Sequence, residues 1–200
     1  VGRENLSCKR SGRSRAADMP YTPAGLEKKK QNYASRLKAD PARQCFLPGV
    51  PRATYLPFPF QIIQTPGLVA IAYEFAHAQR IVYTNGTPHR ADVEFWMGDS
   101  RGKWEGETLV VDVTNHNDMT WFDEAGNHHS NEMRVTERYT RTGPDHMQYE
   151  ATIEDPKVFT RPWKMSMVLY RRQEPNAQIF DYQCYAFDHD KKGLSIPLVR

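Results

Sequence analysis

Residues 108–114 constrain the fold most, because all of them except Asp112 are β-branched or leucine. Leu109, Val111 and Val113 fall on one face of an extended chain, whereas Val110, Asp112 and two threonines fall on the other. A strand with one apolar and one mixed face is typical of an antiparallel sheet that covers a core on one side. The segment therefore predicts a central strand, whose mixed face meets other polar groups.

Glycine and short polar residues precede this strand. Gly98 and Gly102 accept positive φ, and Asp99 and Ser100 between them bond back to their own backbone. Residues 98–102 therefore predict a reversal of the chain before Trp104, with Gly106-Glu107 starting the next strand. The same residue types make Asp99-Ser100 a turn rather than a catalytic pair.

Seven further segments have strand character and are separated by turn signals such as Asn85-Gly86. Ten Tyr, nine Phe and four Trp, together with 14 Pro and 12 Gly, favour short strands joined by turns over helix bundles. The predicted strands are 61–64, 68–75, 80–84, 108–114, 133–141, 147–154, 164–171 and 179–187. Short links imply antiparallel order, and closure removes exposed edges. The sequence therefore predicts a mainly β, antiparallel eight-stranded barrel.

The N-terminal quarter differs in charge from the rest of the chain. Residues 1–52 carry 12 Lys/Arg and 4 Asp/Glu, against 15 and 20 in residues 53–200. We interpret residues 1–52 as a basic N-terminal arm and residues 53–200 as the barrel domain. Residues 1–20 are basic and poor in large apolar groups, which predicts loose order or dependence on partners.

One helix is predicted inside the arm. Thr22-Pro23 supplies an N-cap and a first-turn proline, and the pattern continues to about Lys38. Leu26, Tyr33 and Leu37 recur on one side of this helix, and its lysine-rich opposite side is most simply a solvated face.

The charge of the arm raises the question of partners. A basic arm can bind nucleic acid or anionic lipid, or lie on its own acidic body, but no recognition helix or RNA-binding motif follows it. We therefore expect no nucleic-acid partner. No apolar run approaches membrane-spanning length, and the start at Val1 shows no signal peptide, which fits a mature or trimmed form.

A proline-rich strap leads into the barrel at residues 45–60. Four prolines there argue against a helix and against a central strand, so an extended, polyproline-like segment is predicted, packed on apolar surface by its aromatic residues. The three cysteines have no zinc-type spacing, and a bridge from Cys45 to Cys184 would tie the arm to the last strand. Reduced thiols are the alternative.

Several long words of the sequence resemble a large family of exported bacterial proteins. They are CFLPGVPRA, PFQIIQTPG, AYEFAHAQRIVYTNGTPHR, WMGDSRGKWEGETLVVDV, RVTERYTR and TIEDPKVFTRPW, and they cover about residues 40 to 187. The resemblance implies export, which fits the Cys45 to Cys184 bridge, but no particular activity. The absence here of a "PDL-G-W" word found upstream in members implies a fragment or a short variant. Gly102-Lys103-Trp104 is also similar to the lipocalin Gly-x-Trp word, which makes the predicted barrel lipocalin-like.

The first candidate site lies at a hairpin tip between the second and third predicted strands. Glu74 and Arg80 are predicted to face each other across it, with His77 projecting from the turn. Partial burial would bring the pKa values of the carboxylate and the imidazole toward neutrality for proton transfer. A cross-strand ion pair with an exposed histidine is the alternative.

Glu137 lies in the middle of a predicted strand, on the same side as Tyr139. An inward Glu137 would be a buried carboxylate that needs a partner, for which Arg80 or a histidine is the obvious choice. His128 and His129 point to opposite sides of an extended chain, so only one of them can face the pocket. We prefer His128 and keep His129-Ser130 beside it. A salt bridge that stabilises the barrel is the alternative role of Glu137.

Other residues are predicted to line the pocket, because loops at the ends of barrel strands collect functional groups. His89 and His116 stand in such loops, and tryptophans can line a ligand mouth, although a buried core is their default place. The predicted substrate-binding residues are Arg80, His89, Trp96, Trp104, His116 and Tyr73.

These patterns favour a cofactor-independent acid–base enzyme of hydrolase, lyase or isomerase type, acting on a small amphipathic organic substrate in the barrel pocket. Its predicted catalytic residues are His77, Glu74, His128 and Glu137, with Arg80 holding a substrate oxyanion. One alternative is a non-catalytic, lipocalin-like protein that binds a hydrophobic ligand, and another is a metal-dependent enzyme that uses loop histidines. No metal site and no cofactor are expected, because metal-ligand spacings are absent.

The surroundings of the protein are also predicted. Export implies a periplasmic or secreted protein. Residues 68–75 are apolar on both faces, so the outer face needs cover from the arm or from a second subunit in a homodimer.

Overall fold

A computed structural model describes the backbone of residues 3–8 and, in full, residues 19–182. Most of the described chain is extended. In chain order the elements are β1 (Arg3–Cys8), α1 (Pro23–Ala39), α2 (Arg52–Tyr55), β2 (Phe60–Thr65), β3 (Leu68–Tyr73), β4 (Gln79–Tyr83), β5 (Asp99–Glu105), β6 (Thr108–Thr114), β7 (Arg134–Arg141), β8 (His146–Glu154) and β9 (Trp163–Arg171). The prediction of a mainly β protein with an N-terminal helix is confirmed.

Strands β2 to β9 form an eight-stranded mixed sheet that is curled into a half-barrel. Each strand pairs antiparallel with the next except β4 and β5, which run parallel. Strand β1 pairs antiparallel with both β2 and β9, so the ladder continues around all nine strands. The predicted antiparallel order is thus right for every pair but one, and the strand in residues 3–8 differs from the loose order predicted there.

Strand β5 corrects the predicted turn at residues 98–102. Gly98 has the positive φ expected of a turn, at 67°, but the strand begins at the next residue. The reversal comes later, at Gly106, where Glu105 pairs with Thr108. Residue types that favour turns are accommodated in β5 because Ser100 points inward to a buried partner and Asp99 is held by Arg101.

The last predicted strand, residues 179–187, is wrong in its described part. Residues 179–182 have no strand structure, and residues 183–187 lie outside the described residues. Cys45 is disulfide-bonded. Its predicted partner, Cys184, also lies outside the described residues.

Helix α1 begins as predicted, because Thr22 caps it by accepting a hydrogen bond from the Gly25 backbone N–H at 3.0 Å. Its packing differs from the prediction. The buried positions are Gly25 and Asn32, and Asn32 donates to the Gly126 carbonyl, whereas the side chains of Leu26, Tyr33 and Leu37 are exposed.

The strap is not extended throughout, because Arg52–Tyr55 forms the one-turn helix α2 after Pro51. Val50 and Ala53 belong to the hydrophobic core, which confirms that the strap packs on apolar surface. Thr54 lies against Tyr73 at the end of β3. The strap therefore covers the end of the half-barrel that is remote from the β2–β3 turn.

The remaining predictions concern membranes and the outer face of β3. Within the part of the chain that the structure describes, no helix is long and apolar enough to cross a membrane. Val69, Ile71 and Tyr73 are buried, while Leu68, Ala70 and Ala72 on the other face are half-buried. Cover of that face by a second subunit stays a prediction.

Candidate functional site

A cavity of about 650 Å³ opens at one end of the half-barrel. Its opening lies among the β2–β3, β5–β6 and β7–β8 turns, where it is bordered by Pro66, Glu107 and Arg141. The strap and α1 lie at the other end. One end of the sheet is thus open and the other is covered.

The walls of this cavity are apolar because each strand turns alternate residues inward. They are formed by Ile62, Val69, Ile71, Leu109 and Met147. Trp104 projects from β5 at the opening and leaves 48% of its surface exposed. Polar groups are concentrated at the rim, in Gln64, Glu107 and Arg141. The cavity therefore offers an apolar interior and a polar mouth.

Below the cavity lies a buried ion pair between Arg80 and Glu137. Glu137 has no exposed surface, and its Oε1 accepts hydrogen bonds from the hydroxyls of Tyr139 and Tyr149 at 3.0 and 2.8 Å. Arg80 also donates from Nε to Ser100 Oγ at 2.8 Å. We call these five residues the polar cluster. Tyr139 belongs both to it and to the cavity wall.

Electrostatics inside the polar cluster favour the ion pair. Burial alone lowers the pKa of Arg80, but the Glu137 carboxylate offsets this and the pKa is raised well above its ordinary value. Burial and then the Glu137 charge raise the pKa of Tyr139 and of Tyr149 well above the ordinary value. Both tyrosines are therefore neutral donors, and both oxygens of Glu137 are engaged by the protein.

Glu137 points inward, and of the two kinds of partner considered for it, Arg80 or a histidine, the structure shows Arg80. The prediction that Glu74 faces Arg80 across the hairpin is wrong, because Arg80 pairs in register with Ile71. Tyr73, two residues further along β3, is 4% exposed and lies against Arg80 and Thr54, beneath the cavity.

Glu74 and His77 lie away from the polar cluster. His77 stands in the turn after β3, as predicted, with its side chain 47% exposed, and its Nε2 lies 3.1 Å from Asp181. Glu74 accepts a hydrogen bond from the Phe180 backbone N–H at 2.8 Å. Both residues thus contact the segment after β9, and Glu137 has neither of them as a partner.

His89 forms a separate arrangement on the outer side of the sheet. Its Nδ1 lies 3.1 Å from Asp99 and its Nε2 lies 3.1 Å from Asp112. Arg134 donates twice to Asp112, and these bonds lower the pKa of that carboxyl against the effect of its burial. The mixed face of β6 therefore meets an ion-pair network, which fixes the loop before β5.

The other predicted histidines are buried at the covered end. His116 is 1% exposed and its ring centroid lies 5.8 Å from that of His129. His128 is 8% exposed and stacks on Tyr21. Burial lowers the pKa of His128 and of His129. These side chains pack between the sheet and the segment around α1 rather than around the cavity.

The two predicted tryptophans have different places. Trp96 stacks on Phe46 of the strap, with ring centroids 5.1 Å apart, whereas Trp104 borders the cavity. Of these two tryptophans, which the sequence offered as residues able to line a ligand mouth, only Trp104 stands at the opening of the cavity.

Sequence reasoning missed Ser100, Tyr149 and Met147. Ser100 was assigned to a turn, so its inward position was hidden. Tyr149 and Met147 stand at alternate positions of a segment that was predicted as a strand, and that alternation could have identified both as inward-facing.

Burial of His116 makes an acid-dependent loss of stability an expected result. Burial, then His129 and Arg80, lower the pKa of His116 from 6.5 to about 3. Between pH 6.5 and about pH 3 the unfolded chain is therefore protonated at His116, whereas the folded chain is not. The contribution of His116 to the free energy of unfolding is complete above pH 6.5 and decreases by about 1.4 kcal/mol per pH unit below it. Urea unfolding at pH 7.5, 6 and 5 measures this slope. In His116→Gln the slope should be shallower, and an unchanged slope would assign it to other groups.

No metal site is evident among residues 19–182, since no group of three His, Cys, Asp or Glu side chains is placed to hold an ion. Comparisons with protein-family models, with curated proteins and with solved structures give no match for this chain. The cavity and its surroundings therefore carry the functional interpretation.

Proposed function

We propose that this chain binds one small amphipathic organic molecule in the cavity of the half-barrel, in the manner of a lipocalin-like carrier. The observation that carries the proposal is an apolar cavity of about 650 Å³ with polar groups at its mouth. Sites for small molecules have volumes of about 300–1,000 Å³ and are mostly apolar, with a few placed polar groups.

The distribution of polarity supports an amphipathic ligand. Ile71, Val69 and Leu109 offer apolar contacts in the interior, where a hydrocarbon or an aromatic ring gains by leaving water. Gln64, Glu107 and Arg141 at the rim can contact a polar end that stays near solvent. A ligand that is apolar at one end and polar at the other satisfies both regions.

The covered end of the half-barrel supports a pocket rather than a channel. The Arg80–Glu137 pair, together with Tyr139 and Tyr149, fills the interior beneath the cavity. A ligand that enters between the turns stops at this layer. The polar cluster is, on this proposal, the internal support of the cavity.

An acid–base enzyme is the weaker proposal, because its four predicted catalytic residues do not converge. His77 is exposed beside Asp181, Glu74 binds the backbone of Phe180, and His128 stacks on Tyr21. Glu137 is fully engaged by its partners, and a general base must reach the proton that it removes.

The position of Trp104 gives a direct test with the anionic, apolar dye 1-anilinonaphthalene-8-sulfonate. We expect saturable binding of one dye, with transfer of tryptophan excitation to it. Trp104→Phe should lose most of this transfer, because Trp104 borders the cavity. Trp96→Phe is the matched control, since Trp96 stacks on Phe46 instead. Dye binding that is not saturable, or equal transfer in both variants, would refute the location.

We also propose that the protein works in an oxidising compartment, the periplasm or the exterior. The disulfide at Cys45 supports this, because disulfides persist in such compartments and are rare in the cytosol. Export is also what the resemblance of the sequence words implies.

A further inference from the structure

Helix α1 carries an exposed apolar stripe that the carrier proposal does not use. Leu26, Tyr33 and Leu37 are seven and four residues apart, so they share one side of the helix. Their exposed fractions are 42%, 48% and 68%. The helix is held to the body on another side, by Gly25 and by Asn32, whose side chain donates to the Gly126 carbonyl.

Positive charge borders this stripe, because Lys29 and Lys30 stand three and four residues after Leu26 and so neighbour it on the helix surface, instead of lying wholly on the opposite side as predicted. Pro23–Ala39 contains Lys28, Lys29, Lys30, Arg36 and Lys38 but a single acidic residue, Glu27. Arg36 lies over the ring of Tyr33, at 4.0 Å from its centroid, and so adds a cation to the stripe itself. An apolar stripe with cationic flanks is the composition of helices that lie in the interface of anionic membranes.

We propose that α1 is a docking surface for an anionic lipid bilayer, with Leu26, Tyr33 and Leu37 entering the headgroup region and the lysines contacting lipid phosphates. Juxtamembrane lysines gain free energy near anionic lipids, and this gain falls with salt. The flanking charges thus add to the free energy of binding to an anionic bilayer, so that shallow insertion of only three apolar side chains is enough for docking.

The size of the stripe favours a bilayer over a protein. A stable protein interface uses about 20–30 residues on each side, whereas this stripe has three apolar side chains on a convex helix. Aliphatic side chains such as Leu26 and Leu37 gain nothing from a nucleic-acid backbone, which is bound through cations. A bilayer accepts shallow apolar insertion together with phosphate contacts.

The fold gives this docking an orientation. Thr22 and Gly25 at the start of α1 contact Lys157 and Val158, in the loop after β8, and Asn32 contacts the loop after β6. The cavity opens among the β2–β3, β5–β6 and β7–β8 turns, at the opposite end of those strands. A protein docked through α1 therefore holds the cavity mouth away from the bilayer.

The test is co-sedimentation of the full chain with vesicles of phosphatidylcholine alone or with one-third phosphatidylglycerol. We expect binding only with phosphatidylglycerol, and weaker binding at 0.5 M NaCl. Lys28→Gln/Lys29→Gln/Lys30→Gln should weaken it about 100-fold. Leu26→Ser/Leu37→Ser should weaken it about tenfold through lost insertion. All five positions are exposed or half-buried, so thermal unfolding should be unchanged.

The control removes the same charge elsewhere. Lys103→Gln/Lys164→Gln/Arg172→Gln, at positions outside the loop that contacts α1, should bind phosphatidylglycerol vesicles as the parent does. No sedimentation, equal loss in the control, or loss with the lysine variant but not with the leucine variant would each overturn docking through α1. Capture on immobilised polyglutamate or single-stranded DNA in place of vesicles would also overturn it.

Discussion

Glu137→Ala is expected to lower the free energy of unfolding by about 3–5 kcal/mol, because it leaves a buried cation without its partner. Arg80 is 3% exposed and cannot reach water, and the hydroxyls of Tyr139 and Tyr149 lose their acceptor at the same time. A domain has a total stability of about 5–15 kcal/mol, so this loss is a large share. Urea unfolding followed by circular dichroism measures it.

Two further variants separate charge from packing at this site. Glu137→Gln keeps an acceptor for the tyrosines and should lose less than alanine. Arg80→Met/Glu137→Leu removes both charges and should recover much of the loss, since apolar replacement of a buried pair is often neutral. Glu105→Ala is the matched surface control, because Glu105 pairs with Lys103 and Arg138 in solvent, and no measurable change is expected. A Glu137→Ala protein as stable as the parent would contradict the burial of this pair.

Asp40→Ala is expected to cost about 3–5 kcal/mol and to loosen the covered end of the half-barrel. Asp40 has no exposed surface, and its two oxygens accept from Arg52 Nη1 and Nη2 at 2.7 and 2.8 Å. The same carboxylate accepts from the Ala42 backbone N–H at 3.0 Å and so caps the short helical turn after α1. One substitution therefore unpairs Arg52 and uncaps that turn.

Hydrogen exchange followed by mass spectrometry should show where this loss acts. Amides of α1 and of the strap should exchange faster in Asp40→Ala, while those of β6 to β8 should keep their protection. Glu124→Ala is the control, because Glu124 pairs with Arg43 at the surface, with 64% and 45% of their side chains exposed. An even loss of amide protection over the whole sheet in Asp40→Ala would contradict a local role of Asp40 in holding α1 and the strap to the sheet.

Alternation along the strands made the interior predictable. The inward positions of Leu109, Val111 and Val113 follow from period two, and so does the inward Glu137, whose need for a partner pointed to Arg80 or a histidine. The start of α1 followed from Thr22-Pro23 because capping is a local property. These features depend on neighbouring residues in the chain.

Features that depend on distant residues were not predictable. Asp99 and Ser100 have turn propensity, but pairing with β4 and β6 and the contact with Arg80 place them in a strand. Leu26 and Leu37 were predicted to define the apolar side of α1, yet Asn32 is buried because a long-range bond to Gly126 fixes the helix. Glu74 and His77 lay next to Arg80 in sequence, but the turn after β3 directs them to the segment around Asp181.

The parallel seam between β4 and β5 has a mechanical consequence. Its register contains two residue pairs, Val82 with Ser100 and Tyr83 with Arg101, whereas the neighbouring β5–β6 register contains seven. Arg80 crosses this thin seam by donating to Ser100, and through Glu137 it also reaches β7. The Arg80 guanidinium thus links β4 to β5 and β7 across the shortest strand pairing of the sheet. Separation of β4 from β5 therefore requires these side-chain hydrogen bonds to break as well as the backbone pairing.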